Sequence, residues 1–178
     1  MYNSEWNYLE DEKATGFIKY YKGGKYAFVA LLPKKGVGVT DYLASLDGEK
    51  LSSMLANPEQ TTVETAIPKF ETEYRAEMSE ILKSMGMPLA FDPDHADFSG
   101  LGTSVDDNIY IDRVIHEAFI QVGEKGTKAG AATVIEMTNK SSVDGDKQIY
   151  LDRPFVYMLI DCENNIPFFI GTMMDVNQ

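Results

Sequence analysis

Disulfides, membrane spans and a basic surface are what this chain of 178 residues lacks. Its one cysteine, Cys162, cannot form an intrachain disulfide. Cys162 follows the apolar run Phe155 to Ile160 and reads as a small apolar residue near a strand end, not as a reactive thiol. No apolar run reaches the roughly 18 residues of a membrane-spanning helix. The opening Met-Tyr-Asn-Ser-Glu-Trp has neither a basic n-region nor an apolar h-region, so it does not read as a secretory signal. Lysine and arginine total 16 against 28 acidic residues, a net charge of −12. Phosphate backbones attract the opposite sign, so nucleic acid is not an expected partner, and neither is an anionic membrane.

Catalytic constellations are missing too. There is no Gly-x-Ser-x-Gly, no glycine-rich phosphate loop and no Cys/His pair in a sensible context, so no catalytic residue, cofactor or enzyme activity is expected. Of the two histidines, His95 lies in a loop with Asp92, Asp94 and Asp97. That spacing is not a calcium loop, because Ala96 holds the fifth position and no glycine follows at the sixth. No metal site is expected.

The residues that are present describe a soluble globular chain, 44% hydrophobic and 25% charged. A chain of this length buries roughly 70% of its extended surface, enough for a real core. Thr15 to Lys22 and Tyr26 to Leu32 flank Gly23-Gly24 and predict a hairpin. The second of these strands, apolar on both faces and closed by Pro33, is expected in a central, buried position. Short helices are expected over Thr40 to Leu46 and Gly48 to Leu55, with Thr40 and Asp47 as caps. Thr61 to Glu73 reads as strand interrupted by Pro68. Met78, Ile81, Leu82 and Met85 give an amphipathic helix ended by Gly86. Leu89 to Thr103 is a turn-rich connection, and Ile109 to Val122 a long strand. Ile149 to Leu151, Phe155 to Ile160 and Phe168 to Met174 close the chain, the last two around a turn at Asn164-Asn165. The fold class is α+β, predominantly antiparallel sheet with a few short helices, in one domain over residues 1–178.

Residues 123–148 stand apart, since Val134, Ile135 and Met137 are almost their only core formers. A structureless loop of about 25 residues is unusual inside a compact domain and is usually functional or disordered. Its first part, Glu-Lys-Gly-Thr-Lys-Ala-Gly-Ala-Ala-Thr from Glu124 to Thr133, holds mostly small side chains. Such a run can lie exposed as a loop or slip into a sheet, because no bulky residue blocks it.

Five ordered stretches resemble the C-terminal half of a serpin, a protease inhibitor that works by loop insertion. They are Ala66-Ile-Pro-Lys-Phe70 with Glu73-Tyr74; Ala90-Phe91 with Ala96-Asp97-Phe98-Ser99-Gly100; Val114-Ile-His-Glu-Ala-Phe119 with Glu124 to Ala132; Ile149 to Leu159 around Pro154-Phe155; and Pro167-Phe-Phe-Ile-Gly-Thr172. The resemblance covers essentially the whole chain, with no counterpart here for the family's N-terminal helices or the first three strands of its large sheet. It implies a fragment whose natural partner is a missing N-terminal half. It also implies that residues 123–148 are the hinge and reactive-centre loop of a suicide substrate.

The resemblance assigns the sites. The cleaved bond is expected sixteen residues after Glu124, at Lys140–Ser141; a shift of one residue would move the key position to Asn139 or Ser141. Lys140 suits a trypsin-like serine protease, whose specificity pocket carries a carboxylate. Glu124, Gly126, Thr127, Ala129, Gly130, Ala131 and Ala132 form the hinge, with Thr127, Ala129 and Ala131 on one face by strand alternation. Glu124 and Lys69 are expected to pair at the top of the large sheet, and His116 to lie solvated or under-satisfied. Pro154 and Phe155 are structural. An exported full-length form would act outside the cell or at its surface. A second expectation comes from a different class: a non-inhibitory fragment that associates through an exposed edge of the strand Ile109 to Val122, as a dimer or by folding the loop back through Gly123 to Gly126.

Overall fold

The computed structural model describes residues 1–105, 108–124, 126–129 and 147–176. The chain divides into two compact units, one of Met1–Glu71 with Gln121–Gln178 and one of Thr72–Ile120.

The first unit is built on a seven-stranded sheet. Its strands are β1 (Tyr2–Glu10), β2 (Ala14–Tyr20), β3 (Tyr26–Pro33), β4 (Glu59–Ala66), β8 (Lys147–Tyr150), β9 (Phe155–Asp161) and β10 (Ile166–Met173), in the order β10-β9-β3-β2-β1-β4-β8. The β2–β3 hairpin turns at Gly23 and Gly24, both with positive φ (90° and 68°), a conformation that glycine adopts without a Cβ penalty. β3 is buried along nearly its whole length, as its unbroken apolar run predicts. The sheet is antiparallel except at one edge, where β8 runs parallel to β4. Four residues join β8 to β9, yet the two strands lie five spacings apart in the sheet order. Laid flat, five spacings are about 24 Å, whereas the link reaches at most roughly 17 Å. The sheet must therefore curl strongly, towards closure.

Helices α1 (Val39–Ala44) and α2 (Gly48–Ala56) contribute Tyr42 and Leu55 to a core with Leu9, Ile18, Val29, Leu31, Val156 and Met158. Asp47 caps α2 by accepting from the Lys50 amide at 2.8 Å, as expected. Thr40 does not cap α1: the helix starts one residue earlier, and Gly38 holds the cap position with its carbonyl accepting from the Tyr42 amide. On the other face an aromatic cluster fills the curl. Tyr157 lies parallel to Phe28 and to Phe169, and Phe70 packs against Tyr157 at 5.1 Å. On this face Lys19 forms an ion pair with Glu5, and the two side chains are only 9% and 13% exposed.

Close approach fixes Gly16 in β2. A Cβ there would meet the Ala30 carbonyl oxygen at 2.4 Å and Leu31 Cδ2 at 2.6 Å. Because the first obstacle is backbone, Gly16→Ala must push β2 off β3. We expect a loss of about 1–3 kcal/mol, read as a lower urea midpoint with an unchanged slope. A wild-type midpoint would show that the strands part freely.

The second unit holds α3 (Ser79–Ser84) and a 3-10 helix (Pro88–Phe91), separated by Gly86 at φ +109°. The apolar side of α3 does not face a core, since Ile81 and Met85 are exposed. The strand expected over Ile109 to Val122 begins only at Ile115. The residues before it spend their hydrogen bonds elsewhere: the Ile111 amide donates to the Ala90 carbonyl, and the Val114 amide to Ser79 Oγ.

Three strands form a second sheet in the order β5-β6-β7: β5 (Phe70–Glu77), β6 (Ile115–Gly123) and β7 (Gly126–Ala129). Gln121 Nε2 donates to Glu71 Oε2, and Arg75 pairs with Glu117. Pro68 sits in the break between β4 and β5, as its missing N–H dictates.

Candidate functional site

The site begins where β6 ends. Neighbouring strands joined by two residues can pair only antiparallel, because a parallel connection needs a crossover of a dozen residues or more. β6 and β7 are therefore a hairpin, and Gly126 begins β7 at φ +118°, a region where a Cβ would be strained. Among the described residues β7 is an edge strand, with β6 on one side and nothing on the other. The exposed edge expected on the strand Ile109 to Val122 is not there: β6 lies between β5 and β7, so both of its sides are paired.

Glu124 leads into the hairpin, and Lys69 Nζ lies 2.8 Å from its carboxylate, with both side chains mostly exposed. The hydrogen bond from Lys69 holds the Glu124 carboxyl below the usual carboxylate range. A depressed carboxyl contributes stability above its unfolded pKa and loses it as pH falls through the folded value. At this exposure the contribution is small, and the pair serves more to fix where the hinge starts.

Among the described hinge residues Thr127 is buried, 6% exposed. Its Oγ1 is sealed from solvent and makes no hydrogen bond to a described residue. The same holds for the Tyr21 hydroxyl, at the end of β2, on the face that carries Phe17 and Lys19. Burial pushes the Tyr21 phenol up to about 12, and the Thr127 side chain pulls the other way. Sequence reasoning missed Tyr21, because nothing in Tyr20-Tyr21 ahead of a turn marks a buried, unpartnered hydroxyl.

The remaining expected residues separate. His116 is exposed on β6, its ring 6.4 Å from that of Tyr74. Phe155 is fully buried and packs edge-on against Phe70 at 5.9 Å, while Pro154 is exposed. The link before them is pinned by Arg153, which donates from Nη2 to the Pro33 carbonyl at 3.0 Å. Gly130, Ala131, Ala132, Lys140 and Ser141 lie outside the described residues, as does the side chain of Ala129. Among the described residues no cluster of His, Cys, Asp and Glu is placed to hold a metal, and no helix is long and apolar enough to cross a membrane.

A family model described as Serpin (serine protease inhibitor) matches residues 1–176. An uncharacterized serpin-like protein of Methanosarcina acetivorans is 36% identical over 174 residues, covering 94% of this chain and 39% of that protein. Serpin B4 of Homo sapiens is 31% identical over 174 residues, covering 96% of this chain and 44% of that protein. Among solved structures, the thermophilic serpin Tengpin in its native state is 43% identical with a TM-score of 0.86, covering 98% of this chain and 45% of that one. The same protein in its latent state gives 42% and 0.83. The chain thus spans less than half the length of the relatives it matches.

Proposed function

The chain belongs to the serpin family, and from that premise we propose that it carries the bait bond and the hinge of a serine protease inhibitor, with Lys140–Ser141 as the bond offered to a trypsin-like protease. In this reading the protease's serine Oγ attacks the Lys140 carbonyl carbon, the Lys140–Ser141 amide breaks, and Ser141 leaves as a free amine with the proton that the protease's histidine supplies. The acyl-enzyme ester then rides on Lys140 while the hinge enters the sheet as a strand. Lys140 gives specificity by charge-assisted pairing with a carboxylate in the protease. The chain itself contributes no catalytic group.

The observation that carries this reading is β7. Gly126–Ala129 lie as a strand beside β6, with Thr127 buried, which supports reading this small-residue segment as one able to enter a sheet. Limited trypsin digestion read by intact mass tests it. One fast cut giving Met1 to Lys140 and Ser141 to Gln178 is the expected result; first cleavage at other lysines would remove the bond assignment.

A second reading keeps one observation of its own. Among the described residues β10 is an edge strand, it carries no charged residue, and Ile166, Phe168 and Ile170 stand exposed along it. Such an edge recruits other strands, so the same chain can serve as a binding module, in a homo-oligomer or with the N-terminal half of a serpin. Light scattering across a dilution series decides: a size that falls on dilution supports association, and a constant monomer mass removes it.

A further inference from the structure

Edge strands are kept from pairing with other chains by charge, by brevity, by proline or by a bulge. β10 has little of this protection. Ile166–Met173 is eight residues long and carries no charge. Its proline and its bulge both lie at one end, where the register against β9 shifts between Pro167 and Phe169. From Phe169 to Met173 the strand runs unbroken opposite Leu159 to Phe155. Among the described residues the far side of this stretch pairs with nothing. Directly paired residues share a face of the sheet. Ile170 and Thr172 therefore stand on the side of Met158 and Val156, and Phe169 and Met173 on the side of Leu159 and Phe155.

We propose that the partner of this edge is a second copy of the chain, its Phe169–Met173 laid antiparallel to the first about a two-fold axis at Gly171. The proposal rests on reading the chain as a binding module and deepens that reading by naming the occupant and the register. About this axis Ile170 meets Thr172 of the second copy, and Phe169 meets Met173 of the second copy. The first pair sets an aliphatic chain against a methyl group, and the second sets a thioether against a ring, a favourable contact. Gly171, on the axis, has no side chain to clash with itself. Moving the axis towards Ile166 runs the ladder into the bulge and into Pro167, which has no N–H to give. Moving it the other way shortens the ladder. Each chain carries a net charge of −12, so two copies repel at a distance. A charge-free strand is where they can meet with no like charges set opposite one another. The contact uses the same strand on both partners, so assembly stops at two.

Sedimentation velocity of the full 178-residue chain across a dilution series tests this. A monomer–dimer equilibrium is expected, with a dimer fraction that rises with salt. Screening relieves the repulsion between the acidic chains, and this interface has no ion pair to lose. Ile170→Lys should weaken the dimer roughly 100-fold or more, because it brings two lysines beside the axis. Ile170 is exposed, so the urea midpoint of that variant should hold. Phe168→Lys, in the bulge and outside the ladder, should cost far less. The register has its own readout. With Cys162→Ser as background, Ile170→Cys together with Thr172→Cys should give a disulfide-linked dimer in oxidised glutathione, since opposed Cβ atoms about 4.5–5.5 Å apart come close to disulfide geometry. Ile166→Cys alone should stay monomeric on a non-reducing gel. Association that survives Ile170→Lys, or that salt dissolves, would overturn β10 as the surface and leave the binding-module reading standing. A wild-type dimer whose cysteine pair fails to cross-link would overturn the register, and that readout remains if Ile170→Lys unfolds. A constant monomer mass at every concentration removes the second copy as occupant, and the homo-oligomer with it.

Discussion

Lys140→Glu should abolish the fast tryptic cut. A carboxylate placed in a pocket built to pair with lysine loses a buried, charge-assisted contact and adds a like charge. Truncating one partner of such a pair costs about 2–5 kcal/mol, or roughly 30- to 5,000-fold in rate. Lys140→Arg should keep the cut, because the charge survives. A Lys140→Glu variant cleaved in this loop as fast as wild type would show that another bond is the bait. The 178-residue chain by itself should be consumed as a substrate, with no detergent-stable protease adduct. The reason lies in β7: among the described residues it has a ladder on one side only, so further insertion would gain half the hydrogen bonds of a strand placed between two neighbours. A stable adduct with this polypeptide would overturn that expectation.

Lys19→Met should be the most damaging single change in the seven-stranded sheet. It strands the Glu5 carboxylate, whose side chain is 13% exposed, and breaking a buried pair in this way costs about 3–5 kcal/mol. Burial already raises the Glu5 carboxyl above its usual range, with Lys19 opposing that shift in the wild type. Without Lys19 the shift grows. A raised carboxyl contributes stability below its unfolded pKa and loses it as pH rises through the folded value. The urea midpoint of Lys19→Met should therefore fall most at neutral pH and recover towards the acidic side. Adding Glu5→Leu should rescue it, because two apolar groups replace a buried pair with little or no loss. A single variant losing under about 1 kcal/mol would mean the pair behaves as if solvated.

Local signals made part of this fold legible. Gly23 and Gly24 between two strand-forming runs specify the β2–β3 hairpin, and the run Tyr26 to Leu32 specifies its buried position. Asp47 sits where a cap must sit. The errors share a cause, which is pairing decided far away in sequence. β1 escaped notice because its pattern is not binary: Tyr2 and Trp6 point outward while Glu5 is tucked in beside a lysine from the next strand. Ile109 to Val114 has the residues of a strand but no ladder, since Ala90 and Ser79 take its hydrogen bonds. The parallel contact of β8 with β4 joins Val63 to Lys147, and no local rule reaches across that distance. At the candidate site the run of small residues was readable from composition, but the buried, unpartnered Tyr21 and Thr127 hydroxyls were not, because burial of a hydroxyl is a property of the packed state.

The sheet order also sets a timetable for synthesis. β3, apolar on both faces, receives its outer neighbour only when β9 arrives, and Tyr26 pairs with Asp161 more than a hundred positions later in the chain. Until the ribosome has released that segment, the most hydrophobic strand of the molecule has a bare edge. Loop closure over such a separation is slow, and an unpaired apolar strand is what chaperones bind and aggregates grow from. Chilled, slowed expression or co-produced holdases should therefore govern the yield of this chain more than changes to its surface charge.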